Sequence, residues 1–275
     1  MAGKELDPYA SPEAFFGAEV RNRREARGWS QAKLAKIANM SESRIAQIEG
    51  AHFPATLDNA TALDVALETG GMFARLWRFI NMLPIFPDWV QRYMALKIVA
   101  SAISSYAPIL IPGLLQTEEY ARAILRAGRP RDTEEEVERR VQARIALQEI
   151  ISRKRPPALW FILEEEVLCR PVGGRKVMVG QLERLADLAS NPSVVIQILP
   201  TNVGAHAGLG GVIDILDRAD GPQVAYVEGP FTGQLFEDTD RVTECAVVYD
   251  LLRTRASSRE ESVQMIHTAL EFMKR

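Results

Sequence analysis

Cysteine is scarce in this sequence: Cys169 and Cys245 stand far apart, without the close spacing that zinc or redox motifs require, and both read as buried thiols. Long apolar runs are absent too. No stretch reaches the roughly 18 uninterrupted apolar residues that span a bilayer. The opening residues, Met1 to Ser11, lack a basic start followed by an apolar run. No membrane association and a cytoplasmic location are therefore expected. Histidine is rare, and no internal repeat or low-complexity tract stands out. An excess of positive charge is missing as well: the net charge is -3, which at first argues against nucleic acid, because Lys and Arg supply most non-specific affinity for phosphate.

What is present is an ordinary globular composition, 275 residues with 47% hydrophobic and 25% charged, enough for one large or two modest cores. The charge is unevenly distributed. From Val20 to Arg44 there are seven basic residues (Arg21, Arg23, Arg24, Arg27, Lys33, Lys36, Arg44) against two acidic ones (Glu25, Glu42), so the remainder carries about -8. A small DNA-contacting unit joined to an acidic domain fits this asymmetry.

The same segment is dense in helix signals. Pro12 follows Ser11 and opens a helix whose Phe15, Phe16, Val20 and Ala26 share a face up to Gly28. Ser30 caps a short helix from Gln31 to about Ala38 with an apolar stripe of Leu34, Ile37 and Ala38. Asn39 and Met40 make a minimal link, and Ser41 caps a second helix with Ile45 and Ile48 inward, ended by Gly50. Two short helices joined so tightly let one cross a DNA backbone while the other presents its N-terminal residues to the major groove. Beyond a loop from Ala51 to Thr56, Leu57, Ala60, Leu63 and Leu67 keep a helical period; after Gly70 and Gly71, a fifth helix holds Phe73, Leu76, Trp77 and Ile80 as core. Pro84 and Pro87 then mark a domain boundary.

The string GWSQAKLAKIANMSESRIAQIEG resembles the DNA-binding domain of the Xre and phage-repressor family, over roughly residues 14 to 81. The resemblance implies that Gln31 meets a phosphate and that Glu42, Ser43 and Gln47 face bases, with Arg44 beside them reaching a phosphate or a guanine. Lys33 completes the expected contact set. Ala35 corresponds to the small residue that lets the two helices pack closely. Arg24 and Glu49 occupy positions that form an internal ion pair in some relatives, and such a pair is expected here. Glu42 departs from an all-cationic surface: it repels phosphate but can accept from cytosine N4, which favours sequence choice over affinity.

After residue 82 helical and strand signals alternate. The fold expected is therefore α+β: an all-α five-helix domain at 12–82 behind a flexible N-terminus at 1–11, then a mixed α/β domain at 83–275. Trp89, Tyr93 and Met94 suit a helix. Strands are expected at Ile98 to Tyr106, Leu159 to Leu163, Val194 to Leu199 and Val212 to Leu216, with a hairpin of Val224 to Val227 and Gln234 to Glu237. Helices are expected at Gln116 to Ala127, Thr133 to Ser152, Lys176 to Ala189, Arg241 to Leu252 and Glu260 to Met273.

The strings IPGLLQTEEYARAIL, CRPVGGRKVMVGQLERL, VVIQILPTNVGAHAGL and VAYVEGP resemble a C-terminal domain of actinobacterial regulators, where it follows an Xre-type helix-turn-helix as in WhiJ-like proteins. That resemblance implies a transcription regulator controlled by a ligand or by a small protein partner encoded nearby; a homodimer on double-stranded DNA is expected because one repressor-type unit contacts only half a site. The alternative is an antitoxin-like or antagonist-binding protein whose DNA binding is mainly autoregulatory.

Two groups in this half have residue types suited to chemistry. Glu164, Glu165 and Glu166 follow a strand and His206 lies in a glycine-rich loop, so a carboxylate and an imidazole can meet for acid–base work. The run reads more simply as a solvated helix start, and His206 has no nucleophile at a recognisable spacing. Gly173 and Gly174 before Arg175 and Lys176 offer amides and cations to an anion, but lack P-loop spacing and read as a turn. Neither an enzyme activity nor a cofactor or metal is expected.

Overall fold

The computed structural model describes residues 8, 11–82, 88–219, 221–229 and 232–275. Its contacts divide it into two compact units, Met1–Val99 and Ala100–Arg275. Pro84 and Pro87, and residues 1–7, 9 and 10 of the expected flexible N-terminus, lie outside the described residues.

The first unit is all helical: α1 (Pro12–Glu25), α2 (Gln31–Ile37), α3 (Glu42–Glu49), α4 (Leu57–Ala66), α5 (Met72–Met82) and α6 (Asp88–Val99). Local side chains start these helices by accepting otherwise orphaned N–H groups. Ser11 accepts from Ala14, Ser30 from Lys33, and Ser41 from Arg44, each at 3.0–3.1 Å. Thr56 and Asn59 form a reciprocal capping box on α4. A long-range cap opens α5: buried Asp64, on α4, accepts from the amides of Phe73 and Ala74 at 2.8 Å each.

Phe16, Val20, Leu34, Ile45, Ile48, Leu63, Phe73 and Leu76 form the centre of this unit. Four expected core residues are outside the buried set: Ile37 and Ala26, and Trp77 and Ile80 of α5, which are half-buried. Ile37 is 41% exposed because Ala35 and not Ile37 completes the inward face of Leu34 and Ala38, and Ala26 is exposed as the C-cap that ends α1. At about 100° per residue, positions 34, 35 and 38 share an arc that position 37 misses. Gly17 sets the approach of α1 to α3. A Cβ there would stand 2.3 Å from the Ile48 carbonyl oxygen, so a side chain would push the helices apart.

The second unit is a six-stranded mixed sheet with helices, and the chain as a whole is α+β. Its strands are β1 (Ala102–Ala107), β2 (Ala158–Glu164), β3 (Val194–Leu199), β4 (Val212–Arg218), β5 (Gly221–Glu228) and β6 (Gly233–Phe236), in the order β3-β2-β1-β4-β5-β6. Strands β1, β2 and β3 run parallel, joined by α7 (Glu118–Gly128), α8 (Glu134–Leu147), α9 (Glu149–Ser152), α10 (Glu166–Cys169) and α11 (Arg175–Ala189). The remaining pairings are antiparallel. The last helices are α12 (Thr239–Arg255) and α13 (Arg259–Lys274). On one sheet face Tyr106, Ile162, Leu199, Ile213 and Ile215 pack with Tyr249 and Leu252 of α12. The β3 edge is closed off: the Ile198 amide donates to Ser262 Oγ at 2.9 Å and its carbonyl accepts from Ser257 at 2.8 Å, which removes a template for edge pairing.

Three expectations are corrected here. Ile98 and Val99 end α6 and do not begin β1; their β-branched alternation is overridden by packing of α6 on α1 and α5. The helix expected over Thr133 to Ser152 is interrupted at Gln148. Cys169 is exposed and Cys245 half-buried, so neither is a core thiol: Cys169 ends the short α10 and Cys245 sits on α12, whose inward residues are Val242, Tyr249 and Leu252.

Candidate nucleic-acid interface

Helices α2 and α3 meet through Ala38, Asn39, Met40 and Ser41, where Asn39 takes a left-handed φ of 54° and the Met40 amide donates back to Ala35 at 2.9 Å. Asn tolerates that conformation better than most residues. The link therefore turns the chain in a minimum of residues and starts α3 with Glu42 and Ser43 exposed. Gln47 lies one turn further on, half-buried. Glu42 and Ser43 are at the exposed start of the second helix and Gln47 is half-buried in its second turn, while Ile45 and Ile48 hold the other face in the core.

Beneath this surface Glu49 is fully buried and organises three elements. Arg24 of α1 grips it through two nitrogens, Nε to Oε1 at 2.6 Å and Nη2 to Oε2 at 2.8 Å; the expected ion pair is present in the fork geometry that carboxylates favour. Its hydrogen bond to Glu49 is the main reason the Arg24 pKa is raised, against the opposing effect of burial. Arg24 also donates to the Trp29 carbonyl at 2.8 Å and so fixes the turn before α2. Gln31 donates to Glu49 Oε2 at 2.8 Å. One amide hydrogen is therefore used inside the unit, which leaves the other to donate to a phosphate oxygen.

The guanidinium of Arg44 is held by α4 and the loop before it. Nε and Nη2 donate to Asn59 Oδ1 at 3.0 and 2.7 Å, and Nη2 also reaches the Pro54 carbonyl at 2.8 Å. Only Nη1 is left without a bond among the described residues. The basic run counted from the sequence is similarly committed. Arg23 lies 3.7 Å from Glu19, Arg21 donates to the Glu49 carbonyl at 3.2 Å, and Arg27 donates to the Leu67 carbonyl at 2.5 Å. Lys33 and Lys36, both exposed on α2, are the cations of this segment without a partner among the described residues. The intramolecular duties of Gln31 and Arg44 depend on residues 18 and 15 positions away, and no local pattern marks them.

The second unit brings Glu164 and His206 together. His206 Nε2 lies 3.1 Å from Glu164 Oε1, which also accepts from the Tyr106 hydroxyl at 2.6 Å. Burial first, and then this hydrogen bond, raise the Tyr106 pKa. His206 Nδ1 accepts from the Gly208 amide at 3.3 Å, which turns Nε2 toward Glu164. The side chains of His206 and Glu164 are 5% and 12% exposed; they engage one another and tie the 204–211 loop to the sheet. Glu165 accepts from the Thr201 amide and hydroxyl at 2.9 and 3.0 Å, which anchors the same loop at its start. Gly173 and Gly174 form a left-handed turn, φ 70° and 90°, that leads into α11. A Cβ on Gly173 would lie 3.0 Å from Ala123 Cβ, so this glycine serves close packing against α7.

No curated protein and no solved structure matches the chain. Two family models do. Residues 16–76 match a helix-turn-helix domain, the segment in which α2 and α3 make the turn described above and which suggests a DNA-binding regulator. Residues 90–268, well over half of the chain, match a domain of unknown function (DUF5753) that takes in the whole mixed sheet. The chain is thus a member of the DUF5753 family that carries a helix-turn-helix domain at its N-terminus.

Proposed function

We propose that this protein is a sequence-specific regulator of transcription, a binding protein and not an enzyme, that works in the cytoplasm as a homodimer on double-stranded DNA. The observation that carries the reading is the capped α2–α3 pair, with Glu42 and Ser43 exposed at the start of α3 and Gln47 half-buried one turn on, over a core fixed by Glu49. Glu42, Ser43 and Gln47 read base edges. Gln31 and Lys33 hold phosphates and set the register. Arg44 braces the α3–α4 loop and adds a phosphate contact through Nη1. Two such units are needed because one reaches only half a site. The second unit supplies dimerisation and a place for a ligand or small protein partner. Its likeness to WhiJ-like actinobacterial regulators, in the IPGLLQTEEY and VVIQILPTNVGAHAGL strings, supports that division of labour. Gel shifts on a site selected from random DNA test it. Binding that prefers the selected site and is lost with Gln47→Ala is expected; equal binding to unrelated DNA sinks it.

A further inference from the structure

Three glutamines of the second unit converge on one turn, Gly113–Leu115, within the IPGLLQ string. Gln116 donates to the Ile111 carbonyl at 2.7 Å, and Gln148 donates to the carbonyls of Gly113 and Gln116 at 2.8 Å each. Gln181 donates to the Leu115 carbonyl at 2.9 Å and accepts from the Thr117 amide at 2.7 Å. This accounts for the interruption at Gln148, whose carboxamide ties the end of α8 to the turn.

Two guanidinium groups are attached to this framework. Arg144 Nη1 donates to Gln116 Oε1 at 3.1 Å, and Arg184 Nη2 donates to Gln148 Oε1 at 2.6 Å. Both side chains are half-buried. Nearby arginines have carboxylates: Arg122 pairs with Glu118 and Glu138, Arg126 with Glu134, and Arg140 with Asp132. Arg144 and Arg184 have none within ion-pair distance among the described residues. Glu228 acts on the first and Asp187 on the second only from farther away. Arg184 Nε is buried and makes no hydrogen bond. Burial lowers the pKa of both groups, the direction expected where a desolvated cation lacks a counter-charge.

Neutral carboxamides orient these cations but cannot balance their charge. An oxyanion does both, since a guanidinium offers parallel N–H groups at the spacing of carboxylate or phosphate oxygens. We propose that Arg144 and Arg184, held by Gln116 and Gln148 at the Gly113–Leu115 turn, bind the carboxylate or phosphate group of a small metabolite. Anion binding at this site stands apart from DNA binding and is measured without DNA.

The test is calorimetric titration of the full chain at low ionic strength, with sodium phosphate in one arm and sodium succinate in the other. One saturable site per chain is expected in at least one arm, and the arm that saturates identifies the anion. Arg144→Gln and Arg184→Gln should each weaken it about tenfold or more, while Arg122→Gln, whose guanidinium is already paired, leaves it unchanged. Arg144→Lys and Arg184→Lys keep the charge but lose the planar fork, and should weaken binding with the thermal melt preserved. If either glutamine variant fails to fold, the lysine variants decide, and lysine variants that bind like the parent overturn the proposal. So does the lack of a saturable site in both arms, or binding that survives in Arg144→Gln and Arg184→Gln and so belongs to another basic surface.

Discussion

Gln31 and Glu49 are joined side chain to side chain at 2.8 Å, on the same buried carboxylate that Arg24 holds through two nitrogens. The first residue of the first recognition element is therefore positioned by the last residue of the second. Glu49→Gln leaves buried Arg24 with only the exposed Glu25 carboxylate, 3.1 Å from Nη2, as counter-ion, so the loss should approach, without exceeding, the value of about 3–5 kcal/mol for a broken buried pair. Chemical denaturation followed by circular dichroism should show that loss. Gln31→Ala, which removes a neutral donor from a charged acceptor, should cost only about 1–2 kcal/mol of stability while weakening DNA binding.

Gly17→Ala probes the approach of α1 to α3 without altering any surface side chain. The new methyl would meet the Ile48 carbonyl oxygen at 2.3 Å, a clash with backbone that no rotamer change relieves. Overpacking of this kind costs about 1–3 kcal/mol. The thermal midpoint should fall, and DNA affinity should fall with it, because Ile48 and Glu49 close the recognition helix. An unchanged midpoint would contradict the close packing described.

Much of this unit was legible because its signals are local. Ser11, Ser30 and Ser41 each cap within three residues, and in the second unit the short run Val194 to Leu199, apolar but for Gln197, is β3 without a residue of error. Reading apolarity alone failed at Ile37 and Ala26, where helical angle and neighbours decide burial. It failed again at Ile98, where tertiary packing outweighs β-propensity. The contact set Gln31, Lys33, Glu42, Ser43, Arg44 and Gln47 came from a resemblance, which marks positions but not competing partners. That Arg44 would be engaged by Asn59 depends on where α4 folds back, information spread over the whole unit.

Arg44 and Gln47 should therefore differ when each is changed to alanine. Loss of Gln47 removes a base contact and should cost about 1–3 kcal/mol on the selected site, with relaxed preference at one position. Loss of Arg44 frees Asn59 and Pro54 and should weaken binding by a similar factor on every sequence. Fluorescence anisotropy on matched and scrambled duplexes separates the two. Sequence relaxation in Arg44→Ala would return it to base reading.

Salt dependence gauges how many cations face DNA. A surplus of five, taken at face value, gives a slope of log affinity against log salt of about -4.5 per unit. With Arg21, Arg23, Arg24 and Arg27 engaged internally, Lys33, Lys36 and the free nitrogen of Arg44 remain, and the expected slope is about -2 to -3 per unit. Titrations across a range of potassium chloride read it directly.

Alkaline pH should destabilise the second unit. Burial raises the pKa values of Tyr106, Tyr120, Tyr226 and Tyr249. A phenol whose folded pKa lies above its unfolded value binds more protons when folded, so its stabilising effect is complete below about pH 10 and declines as pH rises past that value. Phenolate absorbance should lag behind that of free tyrosine and appear together with unfolding. Smooth titration of all six tyrosines near pH 10 in a folded chain would contradict this.

The most direct test of the central claim is selection of bound duplexes from a random pool by the purified chain, repeated with the Ser43→Ala, Gln47→Ala double variant. The parent should enrich a recurring half-site, present twice at a separation near one helical turn or a multiple of it, and the double variant should lose that preference while retaining weak general binding. No enrichment by the parent, or the same motif from both proteins, would contradict recognition through the exposed start of α3.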